Sequence, residues 1–421
     1  MKFLYYLLPL FAIAVVSCTG GKDSSGSVSQ IVEIDLQKDY PFKKLILEEI
    51  ADVEYIPLET TDSVLLGKSL DRAFSGDMVV LADKDKGTVA FFNRQGKLLR
   101  SFNHKGQGDR EYTDLIAMCA DFAKEEIFIY DYPLRYRMLV YSFDGEFKRE
   151  LKLNGLERRL ENFYSYDETH LVGYEPYDET HLVSFDENDK NYVDSSSKSF
   201  NRYPYFLIDK QSGEITSLPL KVDRRIPNRI SWKSEDSIRT VGIRVYNWMK
   251  VDKGIYVSDF ALDTIYHCTG DKITPKAVRK NNPDKELNFC SLSFESNRYL
   301  FFDVNEVRIY DVNKRMFLEV YWDEFVFDKR EGKLYNTFVV LKDLSGWIKI
   351  PGFNRVEATT AVSIFNRAGD DVPEGYYINF YPVDMLNSFL EEGSLRGKIK
   401  EIAENMEEDA NPVMLIAKFK E

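Results

Sequence analysis

The amino-acid sequence predicts an all-β protein, a six-bladed β-propeller with a short C-terminal helix and an N-terminal lipoprotein signal peptide. A short apolar strand recurs six times, and the better copies are followed by a strand, a tight turn and another strand. The chain is also rich in Tyr (26) and Phe (29) and has only 14 Pro, which favours strands. A repeat carrying about four strands is typical of a propeller blade. The alternative, a pair of β-sandwiches, does not require such a repeat.

The six copies share an apolar run, which in the better copies closes on an acidic or polar residue. They are Met78–Asp83, Ile127–Asp131, Leu171–Glu175, Ile255–Asp259, Tyr299–Asp303 and the weakest, Tyr376–Phe380. Uninterrupted copies recur at roughly 45 residues, the period of a four-stranded blade. The gap between the third and fourth copies is longer, and residues 176–206 are predicted to be an insertion.

Three tight turns are predicted within the repeated units, at Gln95-Gly96, Asp144-Gly145 and Ser212-Gly213. Glycine supplies the positive φ that short hairpin turns require, and the alternating apolar residues on either side fix the strand register.

A propeller ring must also be closed, because an open ring exposes two strand edges. Either residues 53–58 or residues 414–417 are predicted to supply the closing strand. The C-terminal region is predicted to contain a helix at about 387–408 and a strand at about 412–419. The helix carries an apolar stripe formed by Leu395, Ile399, Ile402 and Met406. We expect it to pack on the flank of the propeller, the alternative being a helix that binds a partner.

The first seventeen residues have a positive start and an apolar run too short to span a bilayer, which indicates a secretory signal. The segment Val15-Val16-Ser17-Cys18 resembles the lipobox of bacterial lipoproteins. This resemblance implies that Cys18 is lipidated and that the protein is anchored in the cell envelope, at the outer membrane, on its periplasmic or its surface side. An unmodified secretory protein is the alternative. Residues 18–30 are predicted to be a flexible tether ahead of a domain at 31–421.

Charge and cysteine content limit the partners. The net charge of −13 argues against nucleic-acid binding, which relies on clustered Lys and Arg. Apart from Cys18, the chain has Cys119, Cys268 and Cys290. They allow at most one disulfide and lack the spacing of a metal site, so buried free thiols are the favoured interpretation.

Several segments resemble the six-bladed β-propeller lipoproteins of Bacteroides and related bacteria, which are similar to NHL-repeat propellers. These segments are residues 53–61, Arg100-Ser101-Phe102, residues 104–108 with Glu111-Tyr112, and Asn411-Pro412-Val413. Asp109-Arg110 stands where the family usually has Pro-Gly. The resemblance implies the fold and an envelope location, and it transfers no catalytic residue and no cofactor.

Three sequence features could carry chemistry. The segment Tyr166–Val172 recurs at Tyr177–Val183, which suggests either a metal site with two His or a local duplication of one strand. The loop Gly106-Gln107-Gly108 lacks the Lys-Ser/Thr ending of a phosphate-binding loop, so an inter-blade turn is favoured. Four carboxylates at strand ends, Asp83, Asp131, Asp259 and Asp303, are either glycosidase-type pairs or caps of strand ends and turns.

Aromatic and Arg residues supply the candidate ligand site. It comprises Trp232, Tyr246 and Trp248 with Arg244 and Asp131. Planar rings stack on sugars, and Arg donates several hydrogen bonds, although ordinary core packing is the alternative for each residue. Neither a metal nor a cofactor is predicted.

These features favour a propeller that binds a glycan or a protein partner over an enzyme. The alternatives are a propeller lyase or glycoside hydrolase acting on a polysaccharide, and a structural subunit of an envelope complex. An enzyme predicts a deep pocket with a group of perturbed pKa, and a binder predicts a shallow aromatic groove.

Overall fold

The protein is described here from a computed structural model. The structure describes residues 31–421 except for 132–136, 155, 157–159, 161, 177–180, 184–200, 227–228, 235–236, 243–246, 252, 283–287, 313–314, 345–360 and 363–369. The backbone alone is described for 181–183, 229–234, 237–242, 308–312, 315–322, 361–362 and 370–371. The predicted signal peptide, Cys18 and the predicted tether lie outside the described residues.

The described chain is built almost entirely from β-strands. The first elements are β1 Val32–Asp35, β2 Phe42–Ile46, α1 Leu47–Ile50, β3 Ala51–Pro57, β4 Leu70–Phe74, β5 Met78–Asp83, β6 Thr88–Asn93, β7 Leu98–Asn103, β8 Ala117–Asp121, β9 Glu126–Asp131, β10 Arg137–Ser142 and β11 Phe147–Lys152. The middle elements are β12 Phe163–Ser165, β13 His170–Tyr174, β14 His181–Val183, β15 Tyr205–Asp209, β16 Ile215–Ser217, β17 Arg229–Ser234, β18 Ser237–Gly242, β19 Trp248–Lys250, β20 Ile255–Val257, β21 Thr264–Thr269 and β22 Lys272–Lys280. The last elements are β23 Asn288–Glu295, β24 Tyr299–Val312, β25 Arg315–Asp328, β26 Lys333–Val340, β27 Ala361–Val362, β28 Asp370–Asp371, β29 Tyr376–Tyr381, α2 Val383–Glu391, α3 Gly397–Ala403 and β30 Val413–Phe419.

The strands form the six blades that the repeat predicts. Blades one to five are β4–β5–β6–β7, β8–β9–β10–β11, β12–β13–β15–β16, β19–β20–β21–β22 and β23–β24–β25–β26, and blade six is β29–β30–β3. In blades one to five, the recurring apolar run forms the second strand. Strands β14, β17 and β18 form a separate small sheet.

The predicted hairpin turns are confirmed. Gly96, Gly145 and Gly213 all have positive φ, between 76° and 85°. At Gly96 a side chain is excluded for a second reason, because a Cβ atom would lie 2.2 Å from the carbonyl oxygen of Pro57. This close approach joins the last hairpin of blade one, between β6 and β7, to the end of β3, since the Glu59 N–H donates to the Gly96 carbonyl at 2.8 Å.

Both segments predicted as closing strands lie in blade six. β30 pairs antiparallel with β29 on one side and with β3 on the other, so an N-terminal and a C-terminal strand are neighbours in one sheet. The N-terminal segment does more than the sequence predicts. β1 adds a parallel strand to the edge of blade four beside β22, and β2 does the same for blade five beside β26.

One hydrophobic cluster fills each interface between neighbouring blades. The cluster between blades one and two contains Phe91 and Ile129, and the cluster between blades six and one contains Phe74 and Met414. Four further clusters occupy the remaining interfaces. Buried polar contacts add to them, for example the Lys210 ammonium of blade three, 2.7 Å from the Asp121 carboxylate of blade two.

The C-terminal helical region differs from the single helix expected at about 387–408. It contains two short helices, α2 and α3, because Gly393 takes a left-handed φ of +66° and ends α2, with the N–H groups of Gly393 and Ser394 turned back to the carbonyls of Leu390 and Phe389. The predicted packing on the flank is confirmed. Leu395 and Ile399 are buried in the cluster between blades five and six, and Ile402 and Met406 pack against it.

Two further features concern the described residues only. None of the described helices is long and apolar enough to cross a membrane. Cys119, Cys268 and Cys290 are buried thiols that form no disulfide, as the odd cysteine count favours, and burial raises the pKa of the Cys268 and Cys290 thiols to about 12. These two thiols therefore stay protonated at neutral pH.

We expect Leu415→Ala to destabilise the fold by about 2 to 5 kcal/mol, because Leu415 is fully buried at the centre of β30 between Asn379 and Tyr55. Urea unfolding measures the change. Lys418→Ala, at an exposed position of the same strand, is the control and should change stability by less than about 0.5 kcal/mol. Equal effects of the two substitutions would show that blade six does not hold the ring closed.

Candidate functional site

The two faces of the ring differ in the length of their connections. At one face, which we call the hairpin face, blades one to five join their first to second and third to fourth strands through links of two to five residues. The opposite face, which we call the elaborated face, carries the other connections. Three of these, 175–204, 218–247 and 382–412, are about thirty residues long. Long connections on a rigid scaffold commonly carry function, so the elaborated face is the candidate functional face.

Two residues of the candidate ligand site lie at strand ends on this face, Trp248 at the start of β19 and Asp131 at the end of β9. The other three, Trp232, Arg244 and Tyr246, fall in the sequence between β16 and β19. Arg244 and Tyr246 are outside the described residues, and of Trp232 only the backbone is described, in β17. Ligand binding by these three stays a prediction.

Trp248 and Asp131 are both buried and contact other residues of the protein. Trp248 is 4% exposed and contacts Tyr164 edge-on, with ring centroids 4.7 Å apart, in the cluster between blades three and four. Asp131 is 1% exposed and accepts hydrogen bonds from the Arg137 guanidinium and the Thr113 N–H, both at 3.0 Å. These contacts favour packing and turn capping over ligand contact for both residues.

Two other strand-end carboxylates have the capping role that recurrence suggests. Asp83 accepts hydrogen bonds from the N–H groups of Gly67, Asp85 and Lys86, at 2.6 to 3.0 Å. Asp259 accepts from the Ala261 N–H at 2.9 Å and from the Tyr205 hydroxyl at 3.0 Å. Each carboxylate therefore satisfies backbone donors of a turn, as Asp commonly does.

Asp303 departs from this pattern, because β24 continues past it to Val312 and it does not end a strand. Its neighbours across the sheet are Ser291 of β23 and Glu324 of β25. The residue is partly exposed, but its carboxyl group is surrounded by protein, and this burial raises its pKa to about 7, while the Ser293 hydroxyl acts weakly in the opposite direction.

The duplicated segment forms two strands in different sheets. His170 begins β13 in blade three and lies 3.1 Å from the Asp167 carboxylate, whereas His181 begins β14 in the small sheet. Residues 177–180 lie outside the described residues. Within the described chain, no three His, Cys, Asp or Glu side chains converge as metal ligands would.

A cleft of about 480 Å³ opens between blade five and the chain segment that reaches it from blade four. Its roof is the chain segment Leu36–Tyr40, which crosses from β1 on blade four to β2 on blade five, and we call this space the connector cleft. Its floor is the surface of blade five that faces blade four, with Phe42 at the rim. The floor residues are Asn288, Val304, Glu306, Asp323, Phe325 and Asn336.

The floor is ordered by strand register. Asn288 lies opposite Glu306, Val304 opposite Asp323, and Asn336 opposite both Phe325 and Phe42. Directly opposed residues on one face of a sheet are about 5 Å apart, so these side chains form a continuous patch. Amide and carboxylate groups therefore alternate with apolar and aromatic surface.

Several contacts hold the roof in place. The Tyr40 hydroxyl accepts a hydrogen bond from the Asp35 N–H at 2.8 Å, and the Tyr40 ring packs edge-on against Phe325 at 5.3 Å. Burial raises the pKa of Tyr40. The Asn336 N–H donates to the Pro41 carbonyl at 3.0 Å, which fixes the end of the connector to blade five.

Arg279 of β22 crosses the interface between blades four and five. Its guanidinium donates to the carbonyls of Asp259 and Leu262 in blade four, both at 2.7 Å, and to the carbonyl of Cys290 in blade five at 2.9 Å. The buried cation thus joins blade four to blade five, the blade that supplies the floor of the cleft.

Sequence reasoning missed this cleft. Its residues come from three separated stretches, 36–42, 288–306 and 323–336, and no motif links them. The available signal is the presence of Asn288, Glu306 and Asp323 in strands with an otherwise apolar face, which is too weak to identify a site.

Comparison with known proteins identifies one family. The sequence model of a family described as "Domain of unknown function (DUF4934)" matches residues 31–418, which is almost the whole described chain. No functionally curated protein is significantly similar to the chain in sequence.

Solved structures support the fold. A "putative exported protein" from Bacteroides fragilis superposes with a TM-score of 0.56 at 16% identity, covering 93% of this chain and 100% of the other. A member of the duf4221 family from Bacteroides vulgatus has a TM-score of 0.36 at 9% identity, covering 68% and 84%. A streptogramin B lyase has a TM-score of 0.34 at 9% identity, covering 72% and 95%. The first protein shares the fold of this chain. TM-scores below 0.5 do not establish a shared fold for the other two.

We expect the stability of the protein to fall as pH rises from about 4 to above 7, by about 2 to 4 kcal/mol from Asp303 alone. Below about pH 4 its carboxyl is neutral in both the folded and the unfolded states, whereas at higher pH the unfolded chain ionises first because the folded pKa is about 7. Unfolding followed in urea across this pH range measures the effect.

Asp303→Asn keeps the shape of the side chain and removes the charge, so it should abolish that part of the pH dependence and stabilise the protein above pH 7. Asp77→Asn, at an exposed position of the hairpin face, is the control. An unchanged pH profile in Asp303→Asn would mean that the Asp303 carboxyl ionises normally.

Proposed function

The chain belongs to the family described as Domain of unknown function (DUF4934), and we propose that its propeller binds a glycan in the connector cleft, outside the cytoplasm. One observation carries the proposal: the cleft combines a ligand-sized volume with a patch of amide, carboxylate and aromatic side chains. Ligand pockets of a few hundred Å³ with a few convergent polar groups are typical binding sites.

The chemistry of the floor suits a sugar. Sugar hydroxyl groups both donate and accept hydrogen bonds, and the Asn288 and Asn336 amides can do the same, while the Asp323 carboxylate accepts. Phe42 is 57% exposed at the rim, and its ring offers an apolar face to the C–H surface of a sugar. Binding of this kind needs no catalytic group.

The structure favours binding over catalysis. The Asp303 carboxyl has the strongly raised pKa expected of a general acid. Its neighbours along β24, Phe302 and Val304, both pack toward blade four and the cleft. Since side chains alternate along a strand, the Asp303 carboxyl projects from the opposite surface of blade five. A group on that surface cannot protonate a sugar bound in the connector cleft.

A glycoside hydrolase remains the second candidate function, because of the spacing of two floor carboxylates. Glu306 and Asp323 are diagonal neighbours across β24 and β25. Diagonal neighbours lie about 7 to 8 Å apart between Cα atoms, a spacing compatible with carboxyl pairs in glycosidases. Measuring newly released reducing ends, after incubation with each glycan that binds, tests this candidate.

We expect Phe42→Ala to weaken glycan binding about fivefold to tenfold, because it removes the exposed ring at the rim. A glycan array with the full chain identifies the ligand, and calorimetry measures the affinity of the variant. Leu99→Ala is the matched control, since Leu99 is similarly exposed, at 46%, on the outer strand of blade one. Binding that Phe42→Ala leaves unchanged would place the site elsewhere, and an array without any bound glycan would refute the proposal.

The envelope location is part of the proposal and rests on the signal segment and Cys18. The Bacteroides fragilis neighbour is described as exported, which is consistent with it. Acyl chains on the cysteine would hold the propeller within about 20 Å of the membrane, the root-mean-square span of a dozen flexible residues.

Cys18→Ser should move the protein from the membrane fraction to the soluble fraction and abolish incorporation of a labelled fatty acid, because the thiol that carries the lipid is lost. The control is Cys119→Ser, which removes a buried thiol instead. If the Cys18→Ser protein stayed in the membrane fraction and still incorporated the label, the anchor would have to be sought elsewhere.

A further inference from the structure

The connector cleft carries an excess of negative charge. Among the described residues, its lining includes the solvent-exposed carboxylates of Asp39 and Asp323 and one ammonium group, that of Lys38. The Lys38 ammonium lies over the Tyr40 ring, 5.5 Å from the centroid. The chain as a whole adds to this potential, with a net charge of −13.

Other carboxylates of blade five have cationic partners. Asp328 lies 2.9 Å from the Lys43 ammonium and 2.8 Å from the Arg298 guanidinium. Glu295 is paired with Lys276, at 2.8 Å, and with Lys329. In these pairs the negative charge is neutralised within the protein.

Asp39 and Asp323 differ from them, because neither forms an ion pair with any residue that the structure describes. Both are exposed to solvent at the cleft. Their charge acts beside the apolar surfaces of Leu36, Val304 and Phe325. A cleft with one sign of charge and low-dielectric walls concentrates its field on whatever enters it.

From this contrast we infer that the connector cleft selects glycans that carry protonated amino groups, such as unacetylated glucosamine polymers, and rejects acidic polysaccharides. The inference rests on the proposed function and names the ligand class of the same site. The ammonium groups of the ligand supply the cationic partners that Asp39 and Asp323 do not find among the described residues, while Phe42 and the floor amides contact the sugar rings.

The test compares three hexasaccharides with the full chain, by calorimetry at about pH 5.5, where most carboxylates and glucosamine amines are charged. The probes are the glucosamine hexamer, its fully N-acetylated counterpart and a galacturonate hexamer. We expect the glucosamine hexamer to bind at least tenfold more tightly than the acetylated one, and the galacturonate hexamer not to bind. The preference should shrink as salt rises from about 20 to about 300 mM, because salt screens exposed charges.

The double variant Asp39→Asn with Asp323→Asn should reduce the preference for the glucosamine hexamer to about twofold or less, because it removes the two exposed negative charges of the cleft while keeping side-chain volume. Asp77→Asn, which removes an exposed carboxylate on the hairpin face, should leave the preference unchanged. Retention of the preference in the double variant overturns the inference.

The outcomes separate this inference from the proposed function. Equal binding of the acetylated and unacetylated hexamers, weakened by Phe42→Ala, overturns the charge selection and leaves a glycan site. No binding of any of the three hexamers, together with an empty glycan array, refutes the glycan function itself. Hexalysine binding as tight as that of the glucosamine hexamer, and insensitive to Phe42→Ala, identifies a basic peptide as the ligand and overturns the inference.

Discussion

The pairing of β3 with β30 is the interaction on which the rest of the structure depends. Residues 51–57 and 413–419 meet in an antiparallel ladder although about 360 residues separate them along the chain. Each of the six interface clusters requires a blade on both sides, so all six form together only when the ring is closed. The loss of chain entropy in bringing the ends together grows slowly with length, whereas closure completes two hydrophobic interfaces.

The connector cleft follows from this manner of closure. To reach blade six, the N-terminal chain runs along the outer edges of blades four and five as β1 and β2 before it becomes β3. The passage from one edge to the next is the segment that roofs the cleft. The proposed binding site is therefore a consequence of how the ring is closed, and Arg279 joins the two blades that the connector spans.

Carboxylates in this protein take their roles from their surroundings. Asp83, Asp131 and Asp259 satisfy turn donors, Asp303 is withdrawn from solvent with a raised pKa, and Asp323 faces an open cleft among the described residues without an ion pair. All five look alike in the sequence, an acid within or after an apolar run. The division between the structural acids and those of the proposed site depends on the neighbouring strands and on which surface of the blade each side chain occupies.

Strand periodicity and glycine turns are local properties of a chain. For this reason the sequence predicts the blade count, the turns at Gly96, Gly145 and Gly213, and the segments that close the ring. It could not separate a packed Trp248 from an exposed aromatic ring, nor show that one predicted helix is two. The proposed ligand site becomes visible only when the chain is folded. The cleft joins Tyr40 to Phe325 and Asp39 to Asp323 through the long-range pairing of β1 and β2 with blade edges, and such contacts leave no pattern along the chain.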